Sequence, residues 1–291
     1  MPRLSPTPSA VSIMPEIELP PELEERIFEL CALMHPASIP RLMLVAHHAK
    51  RRVEPILYRT VTLGHHKGGL PLEKVVQAIY SRRFPASFFA KHVRRIYLYT
   101  AVNPSLSRAD LEELIRVCSG PVDLFLIIRG DTALVSLLAM LHITHLTVTF
   151  DSIGALPFSH PLFKRLTHLT IVDKWMSAYY WSHVAQIPHL THLALAGDDL
   201  LEICPQLLLT CRKLLVLLIF CERELPAPLD ATLASDPRFS VIPRKYAPIA
   251  DWEAEIPFPV PEIQTVGGSR RNPSPTYPDF FWPTYVEGRP L

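Results

Sequence analysis

Glycine is scarce in this chain, with 10 residues in 291. A protein that cradles phosphates in glycine-rich loops needs more of it, and in the right places. The sequence has no Gly-x-Ser-x-Gly elbow, no Gly-x-x-x-x-Gly-Lys loop, no His-Glu-x-x-His helix and no Gly-x-Gly-x-x-Gly turn. The hydrolase, nucleotidase, zinc-protease and dinucleotide readings therefore each lack their motif. No cofactor and no enzymatic activity are expected. Cysteine is also sparse: Cys31, Cys118, Cys204, Cys211 and Cys221, an odd number with no Cys-x-x-Cys. Most lie in apolar runs, where a free thiol behaves as a small hydrophobe, so a reducing compartment without structural disulfides is expected. Excess charge is missing as well. A net charge of +1 gives no electrostatic reason to bind nucleic acid or an anionic membrane. The apolar run Leu214 to Cys221 is too short to span a bilayer, and Met1 to Ser12 holds no stretch of signal-peptide length. The expected location is cytoplasmic or nuclear, with neither nucleic acid nor membrane as partner.

What the chain does have is a phrase that returns three times: Ile143-Thr144-His145-Leu146-Thr147-Val148, Leu166-Thr167-His168-Leu169-Thr170-Ile171 and Leu190-Thr191-His192-Leu193-Ala194-Leu195. A degenerate fourth copy follows at Leu214 to Ile219, and the intervals are 23, 24 and 24 residues. A fixed period of this size means one strand–helix unit stacked on itself. In Leu-x-x-Leu-x-Leu the leucines point inward, and the residues between them point to the opposite face. Strands lie side by side in parallel, with helices covering the leucine face. Six units are expected, starting near 93, 121, 143, 166, 190 and 214. The pattern resembles a leucine-rich repeat. The asparagine that strong repeats carry is replaced by Asp151, Lys174, Asp198 and Glu222, so the resemblance is to the irregular kind.

Residues 1–17 read as a flexible leader rich in proline and serine. Leu19-Pro20-Pro21-Glu22 opens a helix whose first turn is acidic, followed by Leu23, Ile27, Leu30, Cys31 and Met34 at helical spacing. A second helix is expected from Ser38 as N-cap, with Leu42, Val45, Ala49 and Val53 on its apolar face. Pro55 should interrupt it before a third short piece at Ile56. Farther on, Leu72 to Arg82 reads as a helix. Ser107 and Asp110 read as a capping box, and Gly120-Pro121 as the stop of that helix. After Leu225, 13 of the 30 prolines crowd into residues 226–291. Phe239 to Ile242 could close the stack and Trp252 seal it, while 257–291 read as a disordered proline-rich tail.

The stretch from Leu19 through Leu30, then Ile39 to Ala46, then Glu54 to Arg59 resembles an F-box. Together with His92 to Leu98 and the repeats, residues 17–255 are similar to fungal proteins that join an F-box-like motif to a degenerate leucine-rich body. The resemblance implies an α/β protein with an F-box-like helical module at 18–62 and a repeat solenoid at 63–256. It implies a substrate-recognition subunit that docks on the Skp-type adaptor of a cullin–RING ubiquitin ligase and holds an unknown protein target. Carried over by position, the adaptor surface is Leu19, Pro20, Leu23, Ile27, Leu42 and Val45. The alternative is a non-enzymatic interaction scaffold whose N-terminal helices only cap the solenoid.

His145, His168 and His192 share one repeat position. Equivalent positions on neighbouring strands form a ladder with rungs about 4.8 Å apart, whereas zinc needs ligands converging on a point. A ladder is therefore expected, lining a target surface together with Thr147 and Thr170. Its rings should disfavour protonation, because charged neighbours repel. The pairs His47-His48 and His65-His66 cannot chelate from one helix face. Arg82, Arg83, Arg94 and Arg95 form a small basic set that could grip an anion.

Overall fold

The computed structural model describes residues 19–63, 70–99, 107–127, 132–149, 156–172, 181, 183–221 and 231–243. The expected leader, Trp252 and the tail at 257–291 lie outside them, as do His65 and His66.

Three helices open the described chain: α1 at Pro21–Met34, α2 at Ile39–Leu42 and α3 at His47–Leu57. Pro21 suits the first turn of α1, where no backbone N–H is needed, and Glu22 and Glu24 complement the helix dipole. The second helix differs from the expectation. It is split: a 3-10 turn at Pro36–Ser38 leads into the four residues of α2, and the helix breaks before α3. Ser38 caps nothing through its side chain, because its hydroxyl donates to the His35 carbonyl. At the break, Leu44 and Val45 bond three residues back, to Arg41 and Leu42, and Ala46 turns extended. That redirects α3 against α1, where Arg52 pairs with Glu25 and His48 with Glu24. Ala32, Ile39 and Val53 form the shared core, with Phe28, Leu42 and Ile56 around it. Pro55 does not end α3. It sits in the last turn, and the chain tightens behind it, with the Tyr58 N–H bonding to the Pro55 carbonyl.

The rest of the described fold is α/β, built on one nine-stranded parallel sheet. Its strands are β1 (Thr60–Leu63), β2 (Leu70–Pro71), β3 (Arg95–Tyr99), β4 (Asp123–Ile127), β5 (His145–Val148), β6 (His168–Ile171), β7 (His192–Ala196), β8 (Val216–Cys221) and β9 (Phe239–Pro243). Their order is β2-β1-β3-β4-β5-β6-β7-β8-β9. Parallel neighbours require a crossover between them. The described crossovers use α4 (Leu72–Tyr80), α5 (Ala86–His92), α6 (Arg108–Val117), α7 (Thr132–Leu138), α8 (Cys204–Thr210) and α9 (Ala231–Ser235), with 3-10 turns at Pro161–Phe163, Val184–Gln186 and Asp198–Ile203. The sheet is wider than the six expected units, because β1, β2 and β9 extend it at both ends.

Register follows the repeated phrase. Leu146, Leu169, Leu193 and Leu217 stand opposite one another on adjacent strands, as do Val148, Ile171, Leu195 and Ile219. Both rows are buried under the crossovers, packed with Leu114, Leu138, Phe163, Val184 and Leu207 in one continuous core. Trp181 is buried there too. The five thiols are unbridged, and all but Cys31 are buried. Burial pushes the Cys118 and Cys204 thiols up to about 12, which leaves them as packing groups.

The capping box of α6 forms as expected, with Ser107 accepting from the Asp110 N–H and Asp110 accepting from the Ser107 N–H. Gly120, however, is not a left-handed cap: Gly197 is the glycine with positive φ among the described residues. Gly120 serves close approach instead. A Cβ there would lie 1.9 Å from the Ala90 carbonyl oxygen at the end of α5. Gly120→Ala must push backbone against backbone, and we expect it to destabilise by about 1–3 kcal/mol, read as a lowered denaturant midpoint at unchanged slope.

Candidate functional site

Two surfaces carry the candidate residues. The first is on α1. Glu24 and Glu25 turn toward α3, and Phe28 and Ala32 toward the small core. Four further apolar side chains, Leu23, Ile27, Leu30 and Met34, follow at intervals of three and four, so they share the opposite face. Leu19, just before the helix, continues this stripe. All five are 41% to 62% exposed. Pro20 is exposed beside them. In the turn before α3, Val45 is exposed and Leu44 is 86% exposed. Of the six residues carried over by resemblance, Leu42 stands apart, because it packs on the small core with Ile39 and Val53. Leu44 was not picked out from the sequence. Continuous helical periodicity would bury it or its neighbour, and the break after α2 does neither.

The second surface is the sheet face turned away from the crossovers. One row across it reads Arg95, Asp123, His145, His168, His192 and Val216. The histidines are half-buried and stacked. His145 and His168 lie 4.1 Å apart between ring centroids at 21°, and His168 and His192 lie 4.1 Å apart at 6°. Each ring is fixed by the threonine before it. Nδ1 lies 2.9 Å from Thr144 Oγ1 in His145, 2.8 Å from Thr167 Oγ1 in His168 and 2.9 Å from Thr191 Oγ1 in His192. Those hydroxyls already donate to carbonyls one strand back: Thr144 to Val122, Thr167 to Thr144, Thr191 to Thr167. Each oxygen must therefore accept from the imidazole, which puts the neutral ring's proton on Nδ1. The repeated Thr-His dipeptide thus sets rotamer, tautomer and stacking together.

This arrangement resists protonation. Burial lowers the pKa of all three rings. His168, between two others, is pushed down to about 3, by burial first and then by the like charges of His145 and His192. Asp123 partly offsets the effect at His145. Near-parallel rings also aim their Nε2 lone pairs side by side, so they do not converge as zinc ligands must. Among the described residues no group of three or more His, Cys, Asp or Glu side chains could hold a metal ion.

The next row, Tyr97, Phe125, Thr147, Thr170, Ala194 and Leu218, also lies on this face. Thr147 and Thr170, expected to line a target surface, are each only 8% exposed. The basic set is dispersed: Arg95 pairs with Asp123 at 3.0 Å, Arg83 pairs with Glu54, and Arg94 donates to the Gly120 carbonyl at 3.3 Å. The Arg95–Asp123 pair extending the histidine row was legible in the repeat alignment, since both residues hold the histidine position of their own units. Nearness in sequence to Arg94 hid it.

No family model matches the chain, and no curated protein matches it. No described helix is long and apolar enough to cross a membrane.

Proposed function

We propose that the chain is a substrate-recognition subunit of a cullin–RING ubiquitin ligase, with no chemistry of its own. In this reading α1 to α3 are an F-box-like module that docks on a Skp-type adaptor, and the sheet with its crossovers is an irregular leucine-rich-repeat solenoid that holds a protein target. The observation that carries it is the exposed stripe Leu19, Leu23, Ile27, Leu30 and Met34. A helix that, with the residue leading into it, keeps five large apolar side chains in water gains by meeting a partner, and contiguous exposed apolar surface of this kind marks an interaction site. The adaptor surface inferred from the F-box resemblance includes three of these five residues. Recognition would then act by geometry: the stripe anchors one end, and the repeats raise the effective concentration of target lysines near the charged ubiquitin carrier.

A second reading, a scaffold whose helices merely cap the sheet, draws on the close join between the two parts. Only Tyr58 and Arg59 separate α3 from β1, and Leu57 packs on both cores. Capture separates the two. Leu19→Asp with Leu23→Asp should lower adaptor binding by about 100-fold or more, since each buried leucine is worth about 1.5–3 kcal/mol. The far-UV circular dichroism should not change. If the unmodified chain fails to capture the adaptor, the ligase reading falls and the scaffold stands.

A further inference from the structure

Three residues before the register-aligned His168, His192 and Val216 stand Arg165, His189 and Lys213, one in each repeat, and before them Lys164, Pro188 and Arg212. All six are exposed, along the edge of the sheet at which these strands begin. Among the described residues none of the four cations pairs with a carboxylate, whereas Arg95 and Arg238 are matched by Asp123 and Asp236. Two basic pairs thus flank the turn of His189, two strand spacings or about 10 Å apart. Between the turns that lead into β7 and β8 the surface opens into a cavity of about 220 Å³. Its walls include Val184, Ile187 and Leu190 from one turn and Cys211 from the next, all buried. Burial raises the Cys211 thiol above its ordinary value, so that wall is neutral. Arg212 and Lys213 complete the border, and no carboxylate lines it. Lys213 donates to the Pro188 carbonyl at 2.6 Å, which ties the two turns together and holds its ammonium beside the cavity.

We propose that this cavity and its basic border recognise an acidic peptide segment of a protein target. One large apolar side chain enters between the two turns, and carboxylates beside it meet Arg212 and Lys213 on one side and Lys164 and Arg165 on the other. Size selects the anchor. A cavity of about 150 Å³ admits benzene, and sites for drug-sized molecules begin near 300 Å³, so this one takes a single side chain. Charge selects the flanks. Unmatched cations at a border attract carboxylates, and an extended chain covers the roughly 10 Å between the two pairs in three residues. A fatty acid brings one carboxylate and cannot serve both pairs. A flat anionic membrane would use the cations and leave the cavity idle. Such recognition rests on the reading above that the repeats hold a protein target, and adaptor docking by α1 plays no part in it. The target then sits at the edge where the strands begin, not on the histidine row.

The test uses the full chain and fluorescein-labelled peptides read by anisotropy. The probes are Glu-Asp-Glu-Leu-Glu-Asp-Glu and the same peptide with phenylalanine at its centre. At least one should bind. Serine at the centre should weaken binding by about 10-fold or more, the worth of one buried apolar side chain. Lysine in place of the six acids should abolish it. In the protein, Ala185→Trp plugs the cavity from an exposed lining position and should also cost about 10-fold. Arg212→Glu, at an exposed side chain, is the second variant and should weaken binding several-fold at unchanged far-UV circular dichroism. Failure of both acidic probes to bind, equal binding of the serine peptide, or binding that neither variant weakens would overturn the proposal. So would binding to phosphatidylserine vesicles alone, which would assign the cations to a membrane. Any of these results beside successful adaptor capture would leave the ligase reading standing.

Discussion

Leu169→Ala is expected to destabilise the fold by about 3–5 kcal/mol, the largest effect of any single substitution considered for this protein. Leu169 is completely buried and stands between Leu146 and Leu193 in register on adjacent strands. Removing its side chain forfeits the transfer free energy of the isobutyl group. It also leaves a cavity in a row that cannot collapse, because each strand is held by backbone bonds to both neighbours. Leu215 supplies the contrast. It precedes β8, belongs to the degenerate fourth copy of the phrase, and is 62% exposed. Leu215→Ala should fall within about 0.5 kcal/mol of the unmodified chain. Urea unfolding of the two variants side by side checks the point. Equal costs would mean that the leucine row does not form the interior.

The second large effect is with pH. In the fold, burial holds all three stacked imidazoles below the ordinary histidine range of about 6.5, and His168 is pushed down to about 3. Once the chain unfolds, each titrates normally. Below pH 6.5 the unfolded state therefore binds more protons than the folded one, and stability falls as pH falls. The stabilisation is complete above about 6.5 and is lost progressively as pH falls, for His168 down to about 3. For each ring that stays neutral, the loss is at most about 1.4 kcal/mol per pH unit, and less here because solvent reaches the half-buried rings. The variant carrying His145→Gln, His168→Gln and His192→Gln keeps a hydrogen-bonding group beside each threonine and cannot be protonated. Its thermal midpoint should fall much less between pH 7 and pH 5 than that of the unmodified chain. Parallel losses in both proteins would assign the acid sensitivity to other groups.

Much of this architecture is legible in a single sequence because the signals are local and repeated. The Leu-x-x-Leu-x-Leu spacing separates inward from outward positions, and its recurrence at 23 or 24 residues forces parallel strands in register. The Thr-His dipeptide recurs with it, so the ladder of imidazoles follows from the period. The α6 capping box is equally local: two side chains and two N–H groups within four residues. Other features escaped the sequence because they depend on partners far along the chain. The break between α2 and α3 lets Arg52 and His48 reach Glu25 and Glu24 on α1, more than twenty residues away. Gly120 looked like a helix stop, but it is required by the Ala90 carbonyl of another helix. Arg95 looked like part of a basic cluster, but it is matched by Asp123 one strand over.

The sequence by itself determined that strands stack in parallel, that their leucines face one way and that their histidines form a file, because side-chain alternation and a constant period leave no other arrangement that buries the aliphatic rows. Only the tertiary structure decided which apolar residues stay in water on α1 and which are shut away on the second sheet face. An apolar side chain carries the same signal whether it meets its own core, another segment or a partner. The difference lies in what is packed in front of it, and no local pattern encodes that.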